Sequence, residues 1–190
     1  MKKRILVMLS LIIIMLFLNA CSETATDTIQ FIKFEMFDGK VTADIPKALE
    51  LMSDDRIKEL YTNKSEMPRY VFINDDETVS IAFTKTEIET NPEMLELLHN
   101  VSYIHLQKSD EIEDVIDEGF EEINGNNVGT LKYINNDDTK VYCMRVHGIL
   151  ENKVFKVVYK YSEGHSEEWS EIEAVLRESL SIYAKEIGNL

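Results

Sequence analysis

Four consecutive segments with strand-like sequences, joined by short connectors, constrain the fold of this 190-residue chain more than any other feature. The segments span residues 111–123, 126–134, 139–150 and 153–161, and each is rich in β-branched or aromatic residues. Their connectors, residues 124–125, 135–138 and 151–152, are too short for anything but antiparallel neighbours. The sequence therefore predicts an antiparallel meander in the second half of the chain.

Two further hairpins and three helices are predicted around this meander. Residues 31–37 and 40–45 flank Asp38-Gly39, and residues 70–73 and 78–85 flank a polar turn, which is typical of hairpins. N-cap residues at Ser53, Asn91 and Ser166 indicate the three helix starts. With 7 Gly, 3 Pro and 2 Cys, collagen-like and disulfide-stapled folds are excluded. We expect an α+β domain with about six or seven antiparallel strands packed against helices.

The apolar residues after Asn91 predict which side of the second helix is buried. They recur at i, i+3, i+4 and i+7, so we expect that side to face the sheet. It comprises Met94, Leu97, Leu98, Val101, Ile104 and His105.

The strand register predicts the two faces of the meander. With Ile134 opposite Thr139 and Leu150 opposite Lys153, one face is apolar and brings Leu131 beside Tyr142. The other face is cationic, although the domain as a whole is acidic. We expect this face to be a possible binding surface for an anionic ligand or partner, unless helices cover it. Its polar residues are Lys132, Arg145, His147, Lys156 and Lys160.

An acidic segment precedes the cationic strands. Residues 110–122 contain eight acids and no Lys or Arg. The segment is suited to a basic partner or to cations, but neutralisation across the sheet is the simpler interpretation. The pairing places Lys132 opposite Asp117 and Glu121 diagonally near Arg145.

The first 21 residues predict the location of the protein. Three basic residues at positions 2–4 precede an apolar run over residues 5–18, which is shorter than a membrane span of ~20 residues and typical of a signal peptide. The next residues, Leu18-Asn19-Ala20-Cys21, resemble the lipobox of bacterial lipoproteins, whose cysteine receives a diacylglyceryl group. We therefore expect a signal peptide over 1–20, lipidated Cys21 and a tether over 21–30, and one domain over 31–190.

Lipidation would hold the domain at the extracytoplasmic face of the membrane, in the cell envelope. Removal of residues 1–20 takes three of the 20 bases and none of the 35 acids, which leaves 17 − 35 = −18. Such a charge excludes nucleic acid as a partner, because phosphate contacts need a basic surface. An envelope protein is the expected partner, together with the membrane that the lipid enters.

Three segments carry a family resemblance. FDGKVTADIPKALE, YVFINDDETVSIAFTKTEI and EEWSEIEAVLRESL, in this order, resemble bacterial lipoproteins of the PsbP-like, or DcrB-like, fold over about residues 31–183. The resemblance implies an α/β/α sandwich around an antiparallel sheet, and binding to other macromolecules without catalysis. It transfers no site residue to this chain.

The sequence contains no recognisable catalytic pattern. It lacks the G-x-S-x-G elbow, and Cys143 and His147 lie ~13 Å apart along one strand, too far for a catalytic pair. The oxygen-rich segments 74–77 and 135–138 lack the glycine and distal glutamate of an EF-hand loop. They provide weak metal candidates in Asp75, Asp76, Asp137 and Asp138.

These patterns together predict a non-enzymatic, lipid-anchored binding or adaptor protein. We expect no cofactor besides the covalent lipid on Cys21. The alternative is a carrier or sensor of a divalent cation or small ligand at the membrane surface.

Overall fold

The structure is a computed structural model that describes residues 29–136 and 140–183, without the side chains of residues 165–170. The strands in this part are β1 (Phe31–Met36), β2 (Val41–Pro46), β3 (Glu50–Leu51), β4 (Tyr70–Ile73), β5 (Val79–Glu89), β6 (Ile112–Ile123), β7 (Asn126–Asn135), β8 (Val141–Leu150), β9 (Lys153–Ser162) and β10 (Ser181–Ile182). The α-helices are α1 (Asp54–Leu60), α2 (Pro92–Gln107) and α3 (Ser166–Ser179), and short 3₁₀ turns follow α1 (Lys64–Glu66) and β9 (Glu163–His165).

Two antiparallel sheets organise the domain. The larger sheet has seven strands in the order β3-β4-β5-β9-β8-β7-β6, and the smaller has the order β1-β2-β10. Strands β6 to β9 are sequential neighbours in the larger sheet, which confirms the predicted meander. The predicted α+β class with an antiparallel sheet is likewise confirmed.

The main core lies between the larger sheet, the smaller sheet and α3. It buries aromatic residues of the sheet, including Phe83, Phe155 and Tyr159, against Ile45 of β2 and Ile172 of α3. Each such side chain stabilises the fold by ~1.5–3 kcal/mol relative to full exposure.

Two smaller apolar clusters lie on the opposite face of the larger sheet. Ile57 of α1 packs on Val71 and Ala82, and Leu106 of α2 packs on Leu131 and nearby residues. Helices therefore cover both faces of the sheet, as the expected sandwich requires.

The register between β7 and β8 differs from the prediction. β7 continues to Asn135, which pairs with Val141, so Ile134 lies opposite Tyr142. The predicted register is thus wrong by three residues, and an odd shift exchanges the two faces of a strand. Leu131 consequently shares a face with Arg145, while Lys132 lies opposite Met144 on the face that α3 covers. The predicted register of β8 with β9 is confirmed, and that of β6 with β7 is confirmed from Asp117 to Ile123. Two irregularities shift the pairing between Ile112 and Asp117.

Helix α2 buries a different face from the predicted one. Leu95, His99 and Leu106 face the sheet. His99 fits there because position 129 is glycine, since a Cβ on Gly129 would lie 2.3 Å from the His99 Nδ1 atom. Several residues of the predicted inner face are instead exposed, namely Met94 at 44%, Leu97 at 56%, Val101 at 55% and Ile104 at 48%.

Several predictions concern residues outside the described part of the chain. The signal peptide, Cys21 and most of the tether precede residue 29, and Asp137 and Asp138 lie between residues 136 and 140. Within residues 29–136 and 140–183, no helix is long and apolar enough to cross a membrane.

Candidate functional site

Strands β8 and β9 bring three cationic side chains to the same face of the larger sheet. Arg145 pairs with Val158, which lies between Lys156 and Lys160 on β9. Because alternate residues of a strand point to the same side, both lysines share the face of Arg145. The chain that follows α1 passes over this face and closes one side of a pocket.

The pocket, called here the cationic pocket, has a volume of about 200 Å³. Hydroxyl groups of Ser80, Thr84 and Tyr133 add possible hydrogen-bond donors beside the cations. The pocket is smaller than the ~300–1,000 Å³ of most small-molecule sites, so its size suits one carboxylate or phosphate group. It is lined by Tyr61, Glu66, Pro68, Ser80, Ala82, Thr84, Tyr133, Arg145, Lys156, Val158 and Lys160.

The Arg145 guanidinium is held by Tyr133. Its Nη2 atom donates to the Tyr133 hydroxyl over 2.9 Å, and its Cζ atom lies 5.4 Å from the centre of the Tyr133 ring. In the part of the chain that the structure describes, Arg145 has no carboxylate within ion-pair distance. Since arginine has five N–H donors in a planar fork, Arg145 retains donors that can bind an anion at two points.

Glu66 supplies an internal anion at the edge of the cationic pocket. The Lys156 Nζ atom lies 2.7 Å from the Glu66 Oε1 atom. This hydrogen bond lowers the pKa of Glu66, with a further contribution from the positive charge of Arg145. Lys160 is exposed and has no ion pair among the described residues. The pocket thus has three cations and one carboxylate, so an external anion can compete with Glu66 for Lys156.

His147 is not part of this open surface, contrary to the prediction from the sequence. Its side chain is 4% exposed, and its ring lies 6.3 Å from the ring of His99 on α2. Burial, followed by the charges of Arg145 and Lys156, lowers the pKa of His147 to about 3. His147 is therefore neutral at physiological pH and lies beneath α2 rather than open to a ligand.

Lys132 was also predicted on the cationic face and lies on the opposite one. The shifted register of β7 turns its side chain toward α3, where it forms an ion pair with Glu173. Of the five residues predicted for the binding surface, the structure brings together Arg145, Lys156 and Lys160.

The predicted neutralisation of the acidic segment by the cationic face is not observed. Lys132 does lie opposite Asp117, but its ion pair is with α3. The Glu121 Oε1 atom lies 3.0 Å from the Nη2 atom of Arg177 on α3, so it does not pair with Arg145. The Glu118 Oε2 atom lies 3.0 Å from the Nε2 atom of His99. The acids of β6 therefore leave the cationic pocket positive.

Asp75 and Asp76 lie in the turn between β4 and β5. The Asp76 carboxylate accepts hydrogen bonds from the backbone N–H and the hydroxyl of Thr78, over 3.2 and 2.6 Å. Asn74 accepts from the backbone N–H of Val79 over 2.9 Å. Such contacts are typical of turns rich in Asn and Asp. Within the described ranges, no three His, Cys, Asp or Glu residues are arranged to hold a metal ion.

The cationic pocket also includes three residues that the sequence pattern does not indicate, namely Tyr61, Glu66 and Tyr133. The position of Tyr133 could be predicted with the correct register of β7, which pairs Tyr133 with Cys143 on the cationic face. Glu66 reaches Lys156 across 90 positions of sequence, and no local pattern reports such a contact.

Comparison with known proteins supports the fold. No protein-family model and no curated protein matches the chain. The solution structure of cyanobacterial PsbP (CyanoP) from Synechocystis sp. PCC 6803 is similar, with a TM-score of 0.55 and 11% identity over 85% of this chain and 98% of that chain. The chain has the PsbP-like fold.

A second solved structure is similar to this PsbP-like domain. It is LpqN, described as involved in cell envelope biogenesis of Mycobacterium tuberculosis, with a TM-score of 0.52 and 13% identity. The match covers 83% of this chain and 94% of LpqN. At these identities the similarity is one of fold.

Proposed function

We propose that this chain is a lipid-anchored, non-enzymatic binding protein of the cell envelope, whose PsbP-like domain binds an anionic group of an envelope protein. The proposal rests mainly on Arg145. Its guanidinium lines the cationic pocket and has no carboxylate partner in the described region. Lys156 and Lys160 lie on either side of it along β9 and add two positive charges.

The proposed location rests on residues 1–21. Basic residues, an apolar run and Leu18-Asn19-Ala20-Cys21 occur in the order of a lipoprotein signal. An acyl chain contributes ~0.8 kcal/mol of membrane affinity per buried CH₂ group, so a diacylglyceryl group on Cys21 holds a protein stably. An envelope location is also compatible with the role described for LpqN, which has the same fold.

The small volume of the cationic pocket favours a protein partner over a free ligand. A volume of about 200 Å³ accommodates one carboxylate or phosphate group rather than a complete metabolite. The surrounding domain is strongly acidic, so an acidic partner is repelled everywhere except at this pocket. Such an arrangement fixes the orientation in which the partner binds.

A small anionic ligand is the second candidate, because the pocket combines three cations with hydroxyl groups. A small anionic ligand fits the pocket better than a divalent cation does, because the positive charges of the pocket repel cations.

Photocrosslinking in cells tests the proposed function. A photoreactive phenylalanine replaces Tyr61, which lines the cationic pocket, and in a matched strain it replaces Tyr183, which is an exposed tyrosine after β10. We expect one discrete adduct with an envelope protein from position 61 and none from position 183. Equal adducts from both positions, or none from position 61, would contradict a protein partner at the pocket.

A further inference from the structure

Helix α2 has a second apolar stripe on the side that faces away from the sheet. Its inner side is already occupied, because Leu95, His99 and Leu106 pack against the strands. An amphipathic surface helix normally has one such stripe. The second stripe is therefore not needed for packing within the described domain. It consists of Met94, Leu97, Val101 and Ile104, all about half exposed.

The spacing of the outer stripe is that of a helix-packing seam. Met94, Leu97, Val101 and Ile104 are separated by three, four and three positions, like alternating a and d residues of a heptad. These residues span three turns of helix, or ~15 Å. A seam of this kind suits a partner helix that contributes its own apolar a and d residues.

Strand β6 lies beside α2 and forms the edge of the larger sheet. His99 contacts Glu118, and Leu106 packs near Ile112 and Val115, so the helix and the strand run in opposite directions. Between the last turn of α2 and β6 lies a groove of about 430 Å³, lined by these apolar residues and by Gln107, Lys108, Glu113 and Asp114. The groove lies at the C-terminal end of the outer stripe.

The surface around the stripe is strongly negative. Residues 92–123 contain ten Asp and Glu but only one Lys, Lys108. In residues 29–136 and 140–183, Glu113 and Glu121 pair with Lys140 and Arg177. On the α2 side, the exposed acids without a Lys or Arg partner in those ranges are Glu93, Glu96, Glu118 and Glu122, joined by Asp110 and Glu111 before β6 and by Asp114 in the groove. Asp117 lies opposite Lys132 and faces the α3 side.

We propose that the outer stripe of α2, together with the acidic β6 strand, binds a basic amphipathic helix of a partner protein. Apolar residues of that helix would pack on the stripe, and its Lys or Arg side chains would lie against the acids. A second copy of this chain would bring the same acidic surface, and an anionic membrane surface would also be repelled. Charge complementarity therefore selects a basic partner. This surface lies apart from the cationic pocket and does not depend on the function proposed for it.

The test uses the full-length chain in nanodiscs of zwitterionic phosphatidylcholine, with a photoreactive residue at Leu97. The probe is a synthetic peptide of about three heptads, with Leu at a and d and Lys at e and g. One control peptide has the same composition in scrambled order, and another has Glu in place of Lys. A protein with the photoreactive residue at Leu60, an exposed leucine at the end of α1, controls for adducts at any apolar surface residue.

We expect a saturable adduct between the Lys peptide and position 97. The peptide concentration at half-saturation should be about tenfold lower than for the scrambled peptide. The Glu peptide should give no adduct. Glu93→Gln combined with Glu96→Gln should weaken the adduct about threefold, and added salt should weaken it further. Arg145→Gln should leave it unchanged, which separates this surface from the cationic pocket.

Three results would overturn the proposal. They are equal labelling by the ordered and scrambled peptides, equal labelling from positions 60 and 97, and adducts between two copies of the chain at position 97. A second probe position, Met94, tests whether the photoreactive group at Leu97 itself disturbs the seam.

Discussion

At the scale of single residues, His99 of α2 lies directly against Gly129 of β7. The imidazole is fully buried and occupies the space that a side chain at position 129 would fill. Its Nε2 atom reaches Glu118, so the histidine also has a polar partner at the sheet edge. Glycine is needed at position 129 for close approach rather than for an unusual backbone conformation.

A matched pair of glycine substitutions tests this contact. Gly129→Ala should lower the free energy of unfolding by ~1–3 kcal/mol, because the new methyl group overlaps the His99 ring. Gly119→Ala on β6 meets no atom within 4 Å and should change the free energy by less than ~0.5 kcal/mol. Chemical denaturation of the two variants measures the difference. Similar losses in both would show that His99 does not lie against position 129.

At the scale of secondary-structure elements, α2 provides a direct comparison between its two apolar sides. Leu95 is fully buried, whereas Leu97 is 56% exposed. Leu95→Ala should therefore cost ~2–5 kcal/mol of stability, and Leu97→Ala less than ~0.5 kcal/mol. Both substitutions retain helix propensity, since alanine is the best helix former. Thermal unfolding measures both losses of stability. A larger loss for Leu97→Ala would show that the side of the helix that contains Leu97 faces the sheet, as the sequence pattern predicts.

The tight turns explain which strand registers could be predicted. The β6–β7 and β8–β9 connections each have two residues at positive φ, with values of 50° and 79° for Asn124 and Gly125 and 53° and 60° for Glu151 and Asn152. Such two-residue turns fix the pairing of their strands. The sequence could therefore place Arg145, Lys156 and Lys160 on one face.

The β7–β8 connection is longer and does not fix the register. Five residues separate the two strands and permit several pairings, and the pairing that the sequence predicts puts Lys132 on the wrong face. The buried side of α2 was equally ambiguous, because apolar residues occur on both sides of the helix. The observed orientation places His99 against Gly129, a long-range contact that helical periodicity does not report.

At the scale of the whole molecule, the proposed anchor at Cys21 would hold a domain with two surfaces of opposite charge at the membrane. The cationic pocket lies beside α1, and the outer stripe of α2 lies beside the acidic edge strand. Two such surfaces on one anchored domain would allow an acidic group and a basic helix to bind without competing for the same residues.

The anchor itself can be tested by metabolic labelling with an alkyne analogue of palmitate. We expect the wild-type chain to be labelled and Cys21→Ser to lose the label, since Cys21 provides the thiol of the lipobox. Cys143→Ser is the matched control and should stay labelled, because Cys143 is a buried residue of β8. Loss of label only in Cys143→Ser would contradict the predicted lipoprotein.

The central claim, that the cationic pocket binds an anionic group of a partner, is tested most directly by removing one charge from the pocket. The photoreactive residue stays at position 61 while Arg145→Gln is compared with Lys33→Gln, an exposed position on β1. We expect Arg145→Gln to abolish the partner adduct at an unchanged protein level and Lys33→Gln to preserve it. An adduct of equal yield in both variants would contradict the claim.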